Sequence, residues 1–227
     1  MFLFLITNSY SILIDGFPYI KKLENNRYIL ISSKGITFLD STLTFSSNTI
    51  TFEQEAYNDY QDALSTEAVQ FPKEDGNLIL ALSKDQLYVF NSDEMLLSQT
   101  NFVDDGMTHK RPYHLYPYKK IDNVYITILL YVDDSGLGLI TLYLKKVFFD
   151  ANTRIISFSE RVSYILEEYD PYELEDVMSY GSIPCALMDY NNAKIINCFY
   201  NLYGKFKIIN FDPENNFISD IRVTYDE

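Results

Sequence analysis

The chain repeats one three-turn pattern four times, and an internal repeat restricts the possible folds more than any overall composition does. Each unit runs an apolar strand into an Asx-rich turn, then a second apolar strand into a Gly or Asx turn. A third strand follows, ending on Leu or Phe and then Asp or Asn. The first turns are Glu24-Asn25-Asn26, Glu74-Asp75-Gly76, Ile121-Asp122-Asn123 and Tyr190-Asn191-Asn192. Second strands follow at Tyr28 to Ser32, Leu78 to Ser83, Val124 to Val132 and Ile195 to Tyr200. The second turns are Ser33-Lys34-Gly35, Lys84-Asp85-Gln86, Asp133-Asp134-Ser135-Gly136 and Leu202-Tyr203-Gly204. The third strands end at Leu39-Asp40, Phe90-Asn91, Phe149-Asp150 and Phe211-Asp212, so the Asx markers recur every 50 to 60 residues or so. A fourth, more polar strand completes each unit, most clearly at Arg154 to Val162 and Phe217 to Tyr225. Asn, Asp and Gly suit such turns because they tolerate positive φ and close Asx turns on their own backbone. The second strands are apolar almost throughout, as in Ile126-Thr127-Ile128-Leu129-Leu130, which predicts burial on both faces.

A unit of this kind cannot cover its own faces, so neighbouring units must stack on it. Four antiparallel strands in about 50 residues resemble the blade of a β-propeller. The resemblance implies an all-β, propeller-like fold with four blades, at approximately 17-52, 67-102, 112-162 and 182-225 within a single domain, 1-227. Acidic interblade insertions are expected at 53-66 and 163-180, and residues 1-16 read as an extra strand. A β-sandwich is the alternative architecture. The chain has no Trp, hence no Trp-Asp signature, and no kelch signature, so the resemblance is to propellers outside those two groups. Its Asn, Ile, Tyr and Lys-rich flavour also resembles surface proteins of AT-rich unicellular eukaryotes that carry repeat propellers. Four blades close alone in hemopexin-like propellers; otherwise they form an arc whose uncovered sides another subunit must cover.

Charge narrows the function. Thirty-two acidic against 18 basic residues give a net charge of −14, which opposes nucleic acid and anionic membrane surfaces. With 47% hydrophobic residues, among them 20 Tyr and 16 Phe, the chain has ample material for a core, and no run approaches the roughly 18 apolar residues of a membrane span. The start, Met1-Phe2-Leu3-Phe4-Leu5-Ile6, lacks the basic residues and full apolar length of a secretory signal, although Ser9-Tyr10-Ser11 has the form of a cleavage site. A packed strand is the expectation there.

Cys185 and Cys198 are equidistant from the Asn191-Asn192 turn. In a two-residue hairpin they face each other as a non-hydrogen-bonded pair, with Cα atoms about 4.5 Å apart and within reach of a disulfide. A bridge there implies an oxidising compartment and an extracellular or cell-surface protein, whereas two reduced thiols would indicate the cytoplasm.

Three stretches are candidates for chemistry. Tyr131-Val132-Asp133-Asp134, with an apolar strand before it, resembles the paired-carboxylate hairpin of reverse transcriptases, which holds divalent metal. The acidic charge and the Ser135-Gly136 continuation point instead to a blade turn with solvated Asp residues. The acidic run Glu167-Glu168-Tyr169-Asp170-Pro171-Tyr172-Glu173-Leu174-Glu175-Asp176 lacks the Gly and alternate ligand spacing of a calcium loop, so no metal site is expected. The one basic cluster holds His109, Lys110, Arg111, Tyr113, His114, Tyr116, Tyr118, Lys119 and Lys120, with Pro112 and Pro117 between them. It is the candidate surface for a protein partner, for self-assembly or for a glycan, on a segment whose prolines suit a sheet edge. His109 and His114 fall on opposite faces of an extended segment and do not share a metal.

No nucleophile elbow, nucleotide fingerprint or catalytic Cys–His pattern occurs, so neither a catalytic residue nor a cofactor is expected. The expected function is a non-catalytic extracellular or cell-surface recognition or structural module, in one reading a subunit of a larger assembly. The alternatives are a carboxylate-based glycan-active enzyme and an intracellular scaffold propeller.

Overall fold

A computed structural model describes residues 19–46, 48–52, 66–83, 86–101, 110–134, 139–168, 185–190, 193–202 and 205–223. The expected strand at 1–16, the bulk of the 53–66 insertion, the acidic run from Tyr169 onward and the Asn191-Asn192 turn lie outside the described residues. Apart from two short 3₁₀ turns, Glu24–Asn26 and Lys73–Asp75, the regular structure among the described residues is all strand.

The strands fall into four separate antiparallel sheets. The first holds β1 (Tyr19–Lys22), β2 (Tyr28–Ser32), β3 (Gly35–Leu39) and β4 (Ile50–Thr51); the second holds β5 (Thr66–Gln70), β6 (Ile79–Ser83), β7 (Gln86–Phe90) and β8 (Leu96–Asn101). The third orders β12 (Ile155–Phe158), β11 (Leu139–Asp150), β10 (Val124–Asp134) and β9 (Lys110–Ile121), with β13 (Val162–Glu168) also on β11. The fourth runs β14 (Cys185–Tyr190), β15 (Ala193–Leu202), β16 (Lys205–Asp212) and β17 (Phe217–Val223). Each sheet is a meander of sequence neighbours, one per repeat. A sandwich would gather its strands into two sheets, so that alternative does not describe this chain.

Two details differ from the sequence expectation. β10 runs on through Asp134, where a turn was expected to begin, because Asp133 still pairs with Lys110 in the ladder. The 163-180 insertion begins as strand: Val162, Tyr164 and Leu166 alternate against β11 and pack on the core. At the break between β12 and β13, Ser159 Oγ takes the acceptor place in the ladder, receiving the Lys146 N–H at 3.0 Å.

The four Asx markers turn out to be turn-builders. Asp40 Oδ1 accepts the N–H groups of Thr42 (2.8 Å) and Thr44 (2.9 Å), and Asn91 Oδ1 those of Asp93 (3.0 Å) and Met95 (2.8 Å). Asp150 Oδ1 does the same for Asn152 (2.8 Å) and Thr153 (3.2 Å), and Asp212 Oδ1 for Glu214 (2.8 Å) and Asn215 (3.3 Å). Each turn then passes through one residue at positive φ: Leu43 (62°), Glu94 (63°), Arg154 (59°) and Asn216 (51°). Only Asn216 is of a type that accepts this conformation readily. Leu43 is also exposed, so nothing in packing offsets its backbone cost. Leu43→Gly is expected to stabilise the fold by about 0.5 to 1 kcal/mol, read as a rise of roughly 1 to 3 °C in thermal midpoint. A lowered midpoint would contradict this account of the turn.

The chain divides into two compact units: Met1–Asp105 with Asp150–Ile156, and Gly106–Phe149 with Ser157–Glu227. In the first unit, Ile29, Ile31, Ile36 and Phe38 of the first sheet bury against Ala68, Ile79, Ala81, Tyr88 and Phe90 of the second. Phe38 meets Phe90 edge-on, with centroids 5.1 Å apart. Polar ties flank this core: Gln70 Oε1 accepts the Glu24 N–H (2.8 Å), Asn48 Nδ2 donates to the Asp93 carbonyl (3.1 Å), and Arg27 pairs with the buried Glu94. In the second unit, Ile128, Leu130, Leu142 and Leu144 of the third sheet bury against Ile196, Cys198, Ile209 and Phe211 of the fourth.

Candidate functional site

The basic, Tyr-rich cluster becomes β9, the terminal strand of the third sheet. Its ladder with β10 shifts twice. Ile126 pairs with Lys119 and Thr127 with Pro117, leaving Tyr118 as an extra residue; Leu130 pairs with His114 and Tyr131 with Pro112, leaving Tyr113 as another. Both irregularities sit beside a proline, which has no N–H to give the ladder, and a terminal strand is where such gaps are tolerated. Each extra residue re-aims the side chains beyond it, so strict alternation does not describe which residues of β9 face the core.

Several residues of the cluster serve internal contacts. Tyr118 is buried in the core with Ile126 and Phe211. Lys119 Nζ forms an ion pair with Glu214 in the β16–β17 turn, at 2.5 Å and 2.8 Å to its two oxygens, and lies 5.2 Å from the centroid of the Tyr118 ring. Lys120 Nζ lies 5.0 Å from the ring centroid of Tyr125, its cross-strand partner. The His114 and Tyr116 rings are 5.8 Å apart, and both residues are half-buried. Lys110, Arg111 and Tyr113 lie in the strand, but their side chains are outside the described residues, as is His109 altogether. Sequence reasoning missed Asp212 and Glu214 as neighbours of this cluster. The signal was weak because they lie some 90 residues away, and only the stacking of the fourth sheet on the third joins them.

The electrostatics follow from these neighbours. Burial, then the Glu214 and Asp212 carboxylates, push the Tyr118 hydroxyl up to about 12. The Lys119 ammonium holds Glu214 below the usual carboxylate range, and the Asn215 amide does the same for Asp212. Both carboxylates therefore favour the folded state above their unfolded pKa near 4, and that support is lost as pH falls through their folded values. At the other extreme, burial also pushes Tyr88 up to about 12, and Tyr19 likewise. An unfolded tyrosine ionises near pH 10, so stability is intact below that value and is expected to fall as pH rises from 10 to 12. The loss is on the order of 1 to 2 kcal/mol at Tyr88, with Tyr118 adding in the same direction. A titration of phenolate absorbance should show late-ionising tyrosines whose ionisation coincides with loss of β-sheet circular dichroism. Independent ionisation of all tyrosines near pH 10 in a folded chain would contradict it.

Cys185 and Cys198 pair across β14 and β15 in the expected register and form a disulfide, with Cα atoms 4.1 Å apart. Tyr131 of the Tyr-Val-Asp-Asp stretch is buried against Tyr143, the two rings stacked with centroids 5.2 Å apart, so its phenol is core material; the Asp133 and Asp134 side chains lie outside the described residues. Among the described residues, no group of three or more His, Cys, Asp or Glu side chains is placed to hold a metal. No helix among them is long and apolar enough to cross a membrane.

No protein-family model matches the chain, and no curated protein does. Solved structures do. The WD40 domain of SCAP from fission yeast is 14% identical, with 92% of this chain covering 42% of that one at a TM-score of 0.51. The complex of the fission yeast SREBP-SCAP binding domains is 13% identical, with 92% of this chain covering 49% of that one at a TM-score of 0.52. The chain thus spans less than half the length of each of these two structures. At such identities the likeness is one of fold: the chain is all-β and propeller-like, with one four- or five-stranded antiparallel sheet after another along the sequence.

Proposed function

We propose that this chain is a non-catalytic recognition module that works in an extracellular or cell-surface setting and takes a protein partner along β9. The observation that carries the proposal is the placement of the basic, aromatic cluster on the terminal strand of a propeller-like sheet, in a chain of net charge −14. Partners commonly dock along the terminal strand of a sheet, and basic residues on an acidic protein select acidic partners by attraction at short range. Lys110, Arg111 and Lys120 are the basic residues assigned to a partner, with His114 and Tyr116 as aromatic neighbours, while Lys119 pairs with Glu214. One of the structures of similar fold is a complex of binding domains, which supports protein recognition as a use of this architecture. The Cys185–Cys198 disulfide supports the oxidising setting.

The test is affinity capture from the native extracellular fraction, comparing the wild type with the triple variant Lys110→Ala, Arg111→Ala, Lys120→Ala. A discrete protein retained by the wild type, recovered about tenfold less by the variant and released by added salt, is the expected result. Identical capture by both proteins would overturn the edge assignment. Hydrolysis of glycans by the purified chain would replace the reading with an enzymatic one. Intact mass before and after reductant, on protein from its source, settles the compartment: unreduced protein that already carries two free thiols would place it in the cytoplasm.

A further inference from the structure

The fourth sheet differs from the other three in how its two faces are covered. In the central strands of the first three sheets, successive residues are buried on both faces: Ile29, Leu30 and Ile31; Ile79, Leu80, Ala81 and Leu82; Ile128, Leu129, Leu130 and Tyr131. Among the described residues of the fourth sheet, only one face is fully buried. Ile196, Cys198, Ile209 and Phe211 pack on the third sheet, and the cationic side chains on that face are also used there, Lys194 donating to the Tyr118 carbonyl and Lys207 to that of Leu166.

The opposite face alternates with these residues and carries Met188, Ile195, Asn197, Phe199, Ile208 and Asn210. Phe199 is 55% exposed and Met188 46%. Ladder register sets Met188 beside Ile195, Phe199 beside Ile208 and Asn197 beside Asn210. A solvent-facing sheet normally alternates polar residues outward, and a contiguous apolar face of this kind marks a surface that something covers.

We infer that a second copy of this chain covers it, the two fourth sheets packing face to face across a twofold axis. Charge selects that occupant. The chain carries −14, yet the only charged side chain described on this face is Asp212 at its margin, held by Asn215 and the turn. An acidic or a basic partner finds no complement there. A second copy finds the same neutral surface, with side-chain amides at Asn197 and Asn210 that both donate and accept and so satisfy their own kind across a twofold. Four strands about 4.8 Å apart and about seven residues long give a footprint of roughly 20 by 23 Å. That is the small end for a specific interface, and a micromolar dimer is the expectation.

Sedimentation equilibrium of the full chain, from about 1 to 200 µM, tests it. The wild type should pass from one-chain to two-chain mass over that range. Raising the salt should tighten the dimer, because salt screens repulsion between two acidic chains and the interface holds no ion pairs to weaken. That sign separates it from the β9 interaction, which salt should weaken, so either proposal can fail alone. Phe199→Glu should raise the dissociation constant at least ~30-fold, as loss of a central aromatic does, with circular dichroism unchanged because the side chain is not in the core. Met95→Glu, at an equally exposed apolar residue in the β7–β8 turn, should leave the dimer intact. A one-chain mass at every concentration, a dimer unaffected by Phe199→Glu, equal loss with Met95→Glu, or an open series of larger species would each overturn the inference.

Discussion

Phe38→Ala should destabilise the first unit by about 3 to 5 kcal/mol, the largest single effect expected in this chain. The side chain is fully buried on β3, and its ring meets that of Phe90 edge-on at an interplanar angle of 81°. Truncation removes the apolar contacts of a whole ring and the favourable edge-to-face geometry, and it leaves a cavity between two sheets that backbone ladders hold in place. A typical domain has about 5 to 15 kcal/mol in all, so the variant is expected to be partly unfolded at physiological temperature. Urea unfolding followed by hydrogen exchange at β3 and β7 would measure the loss. Phe38→Leu, which keeps most of the volume, should lose much less. A Phe38→Ala loss below about 1 kcal/mol would mean that the junction of the first two sheets is not where the core lies.

Reducing the Cys185–Cys198 bridge should cost about 3 kcal/mol, because the bridge restricts the unfolded chain around a loop of sequence separation 13. Cys198 is buried while Cys185 is half-buried, so reductant must wait for β14 to lift from β15, and reduction of the native protein is expected to be slow without denaturant. The double variant Cys185→Ala, Cys198→Ala should lower the unfolding midpoint by the same amount and lose amide protection first in those two strands. Unchanged stability would show that the hairpin is held by its ladder and by Ile196 packing alone, and would remove the main support for an oxidising setting.

The features legible in the sequence are those that depend on near neighbours. The hairpin about Asn191-Asn192 fixes opposition at every step outward, so the pairing of Cys185 with Cys198 follows from counting along two strands. The Asx markers at Asp40, Asn91, Asp150 and Asp212 were visible because each closes its turn within four residues of itself. The continuous apolar runs at β2, β6 and β10 declared burial on both faces, and the structure places them there.

The fate of the basic cluster was not legible. Prolines at 112 and 117 were visible, but the residues left over when the ladder slips past them were not, and those slips decide which side chains of β9 face inward. Tyr118 went to the core and Lys119 to Glu214, a partner 95 positions away.

By itself, then, the sequence determined the repeat, the Asx turns after the third strands, the register of the fourth-sheet hairpin and the burial of β2, β6 and β10 on both faces, because each depends on local alternation and backbone preference; the same burial expected for β15 did not hold, since Phe199 on its second face is exposed. Tertiary structure alone decided which charges are spent within the molecule and that, among its described residues, one face of the fourth sheet is not fully buried. Both are outcomes of sheet stacking, which brings together residues whose separation in sequence carries no period to read.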